Sequence, residues 1–204
     1  MFNDRYGLTQ AVLEGRKTMT RRVIADTKVI QSLLEIEEDG ALNDADPDIR
    51  CIIDGKAKYK VGEVVAVAQS YMDVMHERND HGVSYLVAKA GYTNKMFVRA
   101  DLMPHKIRIT RASIERLQDI CREDCRSEGI QSVCTTAGWR YVPGGRRISA
   151  AEQNRILSER IKLSADCAFD SPQTAFAFLI DATSGKDTWD SNPFVFVYEF
   201  DLIC

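Results

Sequence analysis

Apolar residues recur at helical spacing from Leu8, where Leu8, Ala11 and Val12 share a face up to Glu14 and Gly15 stands where a left-handed cap would close the helix. Val29, Ile30, Leu33, Leu34 and Ile36 repeat that spacing over residues 27–38 and predict a second helix. The chain then turns acidic, with Glu35, Glu37, Glu38, Asp39, Asp44, Asp46 and Asp48 and no basic residue among them, and reads as an exposed loop. Gly62 to Ala68 is a β-branched run that predicts a buried strand, and Val83–Ala88 and Lys95–Arg99 predict two more around the turn Gly91-Tyr92-Thr93-Asn94. From Lys106 to Arg111, Ile107 and Ile109 alternate with polar neighbours, giving a strand with one wet face, and Ile114 and Leu117 extend the core beyond it.

Ile120–Glu128 reads as a helix stopped by Gly129, and Ser149-Ala150-Ala151-Glu152 is a capping box that opens another to about Leu163. Residues 139–147 between them combine aromatics, arginines and glycines and read as a loop. Ser171-Pro172 starts a further helix through Asp181, with Gly185 as its stop. Phe194, Phe196, Tyr198, Phe200 and Leu202 then alternate with Val195, Val197, Glu199 and Asp201 in a closing strand whose aromatic set shares one side. This order lacks a regular strand-helix-strand alternation, so the expected fold is α+β with a curved or barrel-like sheet.

A chain of 204 residues fits one domain. With 45% hydrophobic and 28% charged residues, the composition argues against a disordered or membrane-embedded chain. A formal charge of -3 supplies no global attraction for nucleic acid or anionic lipid, so any polyanion site must be a local patch. The N-terminal residues lack a basic stretch leading into an apolar run, and no segment approaches the roughly 18 apolar residues of a membrane helix. A cytoplasmic protein without a membrane partner is expected. Cysteines at 51, 121, 125, 134, 167 and 204 are irregularly spaced, as reduced thiols are. Cys121 and Cys125 lie four apart in a predicted helix, but His76, His81 and His105 are scattered, so thiols are favoured over a zinc site and no metal or cofactor is expected.

The densest chemistry lies in Gly15-Arg16-Lys17-Thr18-Met19-Thr20-Arg21-Arg22, where Arg16, Lys17, Arg21 and Arg22 accompany the hydroxyls of Thr18 and Thr20. Lys and Arg neutralise phosphate while Thr hydroxyls and free amides add directional bonds, so a basic turn here can hold a nucleotide or RNA backbone. The same pattern also suits a solvated loop whose arginines pair with the acidic stretch. Trp139 and Tyr141 beside Arg140, Arg146 and Arg147 offer a second stacking and phosphate-binding segment, or an ordered loop that packs one aromatic on the domain. Tyr71 is either a ligand contact or core.

Gly-x-Lys-Thr-x-Thr-x-Arg after a short N-terminal helix resembles the signature of ASCH domains, relatives of the PUA RNA-binding fold. Tyr59-Lys60-Val61-Gly62-Glu63-Val64-Val65 is similar to that family's Lys-x-Gly-Asp strand entry, with Glu for Asp. Arg116-Leu117-Gln118-Asp119-Ile120, Asp124 and Ser127-Glu128-Gly129-Ile130 resemble its strand-to-helix segment. Residues 189–200, from Trp189 to Phe200, resemble the end of longer ASCH proteins found in phages and prophages. The resemblance implies a PUA-like barrel with flanking helices over 1–24, 59–130 and 173–204, and two insertions at 25–58 and 131–172.

Small ASCH relatives are amidohydrolases acting on N4-acetylcytidine, and their Lys, Thr and Glu match Lys17, Thr20 and Glu128. The resemblance implies a modified nucleoside or RNA as partner, with Lys17, Thr20 and Glu128 catalytic; Arg16, Thr18, Arg21, Arg22, Tyr71, Trp139, Arg146 and Arg147 are the ligand contacts that the residues themselves offer. Amide hydrolysis needs a nucleophile, a base and a proton donor for the leaving amine, which Thr, Lys and Glu can supply together. Burial and neighbouring arginines would lower the Lys17 pKa whereas Glu128 would raise it, and sequence leaves the sign open. The chain is about twice the length of the small relatives, which keeps two further expectations in play: an RNA-binding module without chemistry, and a phage accessory protein acting through protein contacts.

Overall fold

The computed structural model describes residues 2, 5–40, 42–78, 90–136, 138–144 and 168–203. Helix α1 (Leu8–Leu13) ends where Gly15 takes φ 68°, and the chain doubles back so that the amides of Arg16 and Lys17 both donate to the Ala11 carbonyl at 2.8 and 2.9 Å. Strand β1 (Met19–Val23) follows, so half of the basic stretch is strand where a turn was expected. Helix α2 (Thr27–Asp39) is capped by Asp26, whose side chain accepts from the Lys28 amide. The acidic stretch also departs from expectation, because Glu35 to Asp39 complete α2 and helix α3 (Pro47–Lys56) follows. Asp46 caps α3, Pro47 occupies its first turn, and Ile49 and Ile53, four apart, face the core.

Strand β2 (Val64–Ala66), helix α4 (Tyr71–Arg78), strand β3 (Lys106–Arg116) and helix α5 (Arg122–Ser127) come next. Strands β4 (Ile130–Thr135) and β5 (Gly138–Pro143) form a hairpin where residues 139–147 were read as a loop. Helix α6 (Pro172–Ser184), opened by a Ser171–Thr174 capping box, leads to strand β6 (Phe194–Ile203). Lys95–Arg99 is turn and irregular chain, and Phe97 there has φ 62°. The expected strand at Val83–Ala88, the helix from Ser149 to Leu163, and Arg146, Arg147, His81 and Cys167 lie outside the described residues.

The fold is α+β, built on a curled four-stranded antiparallel sheet of order β1-β6-β3-β2. Strand β6 is central because both of its faces are apolar. Phe194, Phe196, Tyr198 and Phe200 enter one core cluster with Val29, Leu33, Ile49 and Ile53 of α2 and α3. Val195 and Val197 point the other way and pack with Cys125 of α5 and Phe176 and Leu179 of α6. A strand alternates its side chains between faces, so this one covers two layers at once. Strand β2 lies at the edge with Val64 45% exposed, which corrects the expectation of a buried strand. Among the described residues no helix is long and apolar enough to cross a membrane.

Candidate functional site

The segment before β1 is pinned on two sides. The Thr18 amide donates to the Ser127 carbonyl at the end of α5 (2.9 Å), and the Phe200 amide of β6 donates to the Thr18 carbonyl (2.8 Å). Lys17, only 3% exposed, is thereby held against Glu128, the residue that ends α5. Gly129 at φ 102° then turns the chain into β4, a conformation that glycine adopts without steric cost. Thr20 lies on β1, and Lys17 precedes the strand. They share the wall of a cleft.

Three acceptors surround Lys17 Nζ: the Met19 carbonyl at 2.7 Å, the Glu128 carbonyl at 2.9 Å and Glu128 Oε2 at 2.5 Å. An ammonium satisfies all three with its three N–H donors. A neutral amine satisfies two of them and turns its lone pair toward the third. Burial lowers the Lys17 pKa, the Glu128 charge and hydrogen bond oppose that shift, and Arg22 and Arg21 add to it; the net direction is down. Burial thus outweighs Glu128 in the balance that sequence left open.

On β1, Met19 and Arg21 alternate with Thr20 and Arg22, so Arg21 turns away from Arg22 and toward α5. Its side chain is completely buried and bonds three carboxylates: Nε to Glu115 Oε1 at 2.7 Å, Nη2 to Asp124 Oδ2 at 2.8 Å and Nη1 to Glu128 Oε1 at 3.3 Å. Its Nη1 also reaches Met19 Sδ at 3.1 Å, and the guanidinium lies 5.9 Å from the Phe176 ring centre. Burial pushes the Glu115 carboxyl above its usual range, against the pull of Arg21. Glu128 is thus gripped from both sides, one oxygen toward Arg21 and the other toward Lys17.

The cleft over this pair has a volume of about 290 Å³. Lys17, Thr20, Arg22 and Glu128 supply its polar wall, and Phe176, Leu179 and Ile180 of α6 supply the apolar one. Arg21 reaches the cleft with its guanidinium bonded to Glu115, Asp124 and Glu128. Arg22 is exposed and also borders a groove shared with Lys56 and Lys58. Arg16 pairs with Glu14 at 2.8 Å, and Thr18 contributes the backbone bonds above; neither lines the cleft. Tyr71 is 2% exposed among Val74 and Met103, and its hydroxyl accepts from the Arg99 amide, so it is core. Trp139 is 60% exposed on the hairpin opposite Cys134 and is not part of the cleft wall.

Sequence reasoning missed Glu115 as a site residue, and it quoted Asp124 only as part of a motif. It also missed the apolar wall on α6. The available signal was the four cations in residues 15–22 leading into β1, because a guanidinium that strand alternation turns inward demands carboxylates from elsewhere in the chain. Cys125 is buried with its thiol pushed up to about 12, and Cys121 Sγ accepts from the Asp124 amide as a helix cap. Among the described residues, no His, Cys, Asp and Glu side chains group as a metal site would require. Comparison of the chain with protein-family models, with curated proteins and with solved structures gave no match.

Proposed function

We propose that the protein is an amidohydrolase of the ASCH type that removes the acyl group from an N4-acylated cytidine. The observation that carries this reading is the buried 2.5 Å contact between Lys17 and Glu128 on the wall of a cleft that Thr20 also lines. The motif resemblance at residues 15–22 and 116–130 supports it independently of the geometry. Thr20 Oγ attacks the amide carbon, and its proton passes to the Lys17–Glu128 pair. The pair returns a proton to the departing cytidine amine, leaving an ester on Thr20. Water cleaves that ester, which restores the Thr20 hydroxyl and releases the carboxylic acid. Arg21 touches no substrate atom in this scheme; it positions Glu128.

The test is release of acetate from N4-acetylcytidine by purified protein. Thr20→Ala removes the nucleophile without disturbing a charge and should cut turnover by roughly 100-fold to 10,000-fold, the range for a positioned catalytic group. Lys17→Ala and Glu128→Ala should fall in the same range, with circular dichroism establishing that each variant is folded. Undiminished turnover in folded Thr20→Ala rejects the mechanism.

A second reading, binding of an RNA strand without chemistry, draws on one observation. Arg22, Lys56 and Lys58 border a groove of about 360 Å³ with Tyr59 on its wall, although Asp26 pairs with Lys56 at 3.1 Å in the same place. Such binding would weaken with salt by a log-log slope of about 0.7 per phosphate contacted. A flat salt response removes this reading.

A further inference from the structure

Behind Thr20 lies a second, smaller cavity that runs between the two edge strands of the curled sheet. Thr20 and Arg22 of β1 border it on one side, and Val65 and Ala66 of β2 on the other. Ile107, Ile109 and Phe200 close it with apolar surface, and its volume is about 40 Å³. Phe2, Thr20 and Arg22 line both this bore and the cleft, so the two spaces are neighbours separated by these side chains. Phe2 supplies the aromatic ring of that partition. Its centre lies 5.8 Å from the Phe200 ring and 5.8 Å from Lys17 Nζ.

We propose that the bore is the acyl pocket of the enzyme and that Phe2 sets the size of acyl group it accepts. The inference rests on the amidohydrolase reading and deepens it by assigning the substrate's orientation. An acyl amide has two unlike halves. The departing amine needs a proton, and the groups able to supply one, Lys17 and Glu128, lie on the cleft side. The acyl substituent needs no proton and gains from apolar surroundings, which Ile107, Ile109 and Phe200 supply in the bore away from Lys17 and Glu128. Attack by Thr20 Oγ places the carbonyl carbon between the two spaces, because Thr20 borders both. The acyl chain then points toward Ile107, Ile109 and Phe200, and the cytosine rests against Phe176, Leu179 and Ile180.

The size of the bore gives the specificity. A cavity needs about 10–15 Å³ of this measure to hold one water. At about 40 Å³ the bore has room for a few heavy atoms, enough for acetyl up to a short linear chain and too little for an aromatic ring. Shortening Phe2 joins the bore to the cleft and removes that limit.

The experiment measures kcat/KM for N4-acetyl-, N4-butyryl- and N4-benzoylcytidine with the parent protein, Phe2→Ala and Phe2→Leu. The parent should prefer acetyl and butyryl over benzoyl by at least about 10-fold, since methylene-scale misfit in an apolar pocket is worth about 10-fold to 200-fold. Phe2→Ala should raise the benzoyl-to-acetyl ratio by about 10-fold or more, with Phe2→Leu between. A within-protein ratio is unaffected by the fraction of folded enzyme. As a second readout, N4-butyrylcytidine added to Thr20→Ala should shift the methyl NMR signals of Ile107 and Ile109. Turnover with an unchanged ratio and shifts confined to Leu179 and Ile180 overturns the acyl pocket and leaves the amidohydrolase standing. Absence of turnover on every N4-acylcytidine by the parent overturns both.

Discussion

Two stretches of this chain carry the same kinds of residue and come to opposite ends. Residues 15–22 and 139–147 both mix cations with side chains that can bind a nucleic acid. In the first, the chain doubles back under α1, and β1 carries Arg21 into the interior, where Glu115, Asp124 and Glu128 meet it. In the second, the described part is a hairpin with Trp139 exposed and Arg140 paired with Asp170, a carboxylate 87% exposed. Local charge density is equal evidence for either outcome. What separates them is the supply of carboxylates from distant parts of the chain, which converts a basic segment into a buried, directional network.

The largest effect expected from that difference concerns Arg21. Replacing it with Leu leaves three carboxylates facing a vanished cation, and breaking a buried ion pair by removing one partner costs about 3–5 kcal/mol. Urea denaturation of Arg21→Leu should show a loss of that order, while Arg140→Leu should change stability by no more than about 0.5 kcal/mol. A loss below about 1 kcal/mol at Arg21 would mean that the network is a bystander to folding and that the contrast between the two stretches is one of location only.

The contrast also marks what could be read from sequence. Helices α1 and α2, the capped start of α6 and the aromatic alternation of β6 followed from periodicity and punctuation, which are local properties. Helix α3 escaped because Asp46, Asp48, Asp54 and Gly55 mask an apolar pair at Ile49 and Ile53. The hairpin escaped because tandem aromatics, arginines and glycines read as loop, although β4 and β5 pair throughout. Within the site, Lys17, Thr20 and Glu128 were reached by resemblance, and Glu128 lies 111 positions from Lys17, a separation that no local pattern spans. Glu115 and Asp124 escaped as site residues for the same reason, and Tyr71 stayed open between contact and core because its burial with Val74 and Met103 is a tertiary fact.

A smaller effect tests whether Lys17 is held in the state that the site needs. Its folded pKa lies below its ordinary 10.5, chiefly through burial. Between the two values the unfolded chain binds more protons than the folded one, so stability rises with pH through the folded pKa and levels off above 10.5. Lys17→Met removes this titration. Across urea midpoints taken from pH 7 to pH 10.5, the parent should therefore gain stability relative to Lys17→Met. A parallel course of the two curves would mean that Glu128 fully compensates burial and that Lys17 stays an ordinary ammonium.

The smallest effect belongs to the hairpin. Trp139 is 60% exposed and lies across from Cys134, so truncating it removes little buried surface. Trp139→Ala should move stability by within about 0.5 kcal/mol, as exposed substitutions do. Its effect on N4-acetylcytidine turnover should be within assay scatter, since the residue is not part of the cleft wall. An aromatic that stacks a base contributes about 1–3 kcal/mol by alanine substitution, so an RNA-binding role would show as a loss of affinity of about 5-fold to 150-fold. Titrating a fluorescent single-stranded RNA against the parent and Trp139→Ala separates the two at once. A loss in that range would turn the exposed stretch into a binding arm and leave the buried one as the other, proposed catalytic, half of a two-part surface.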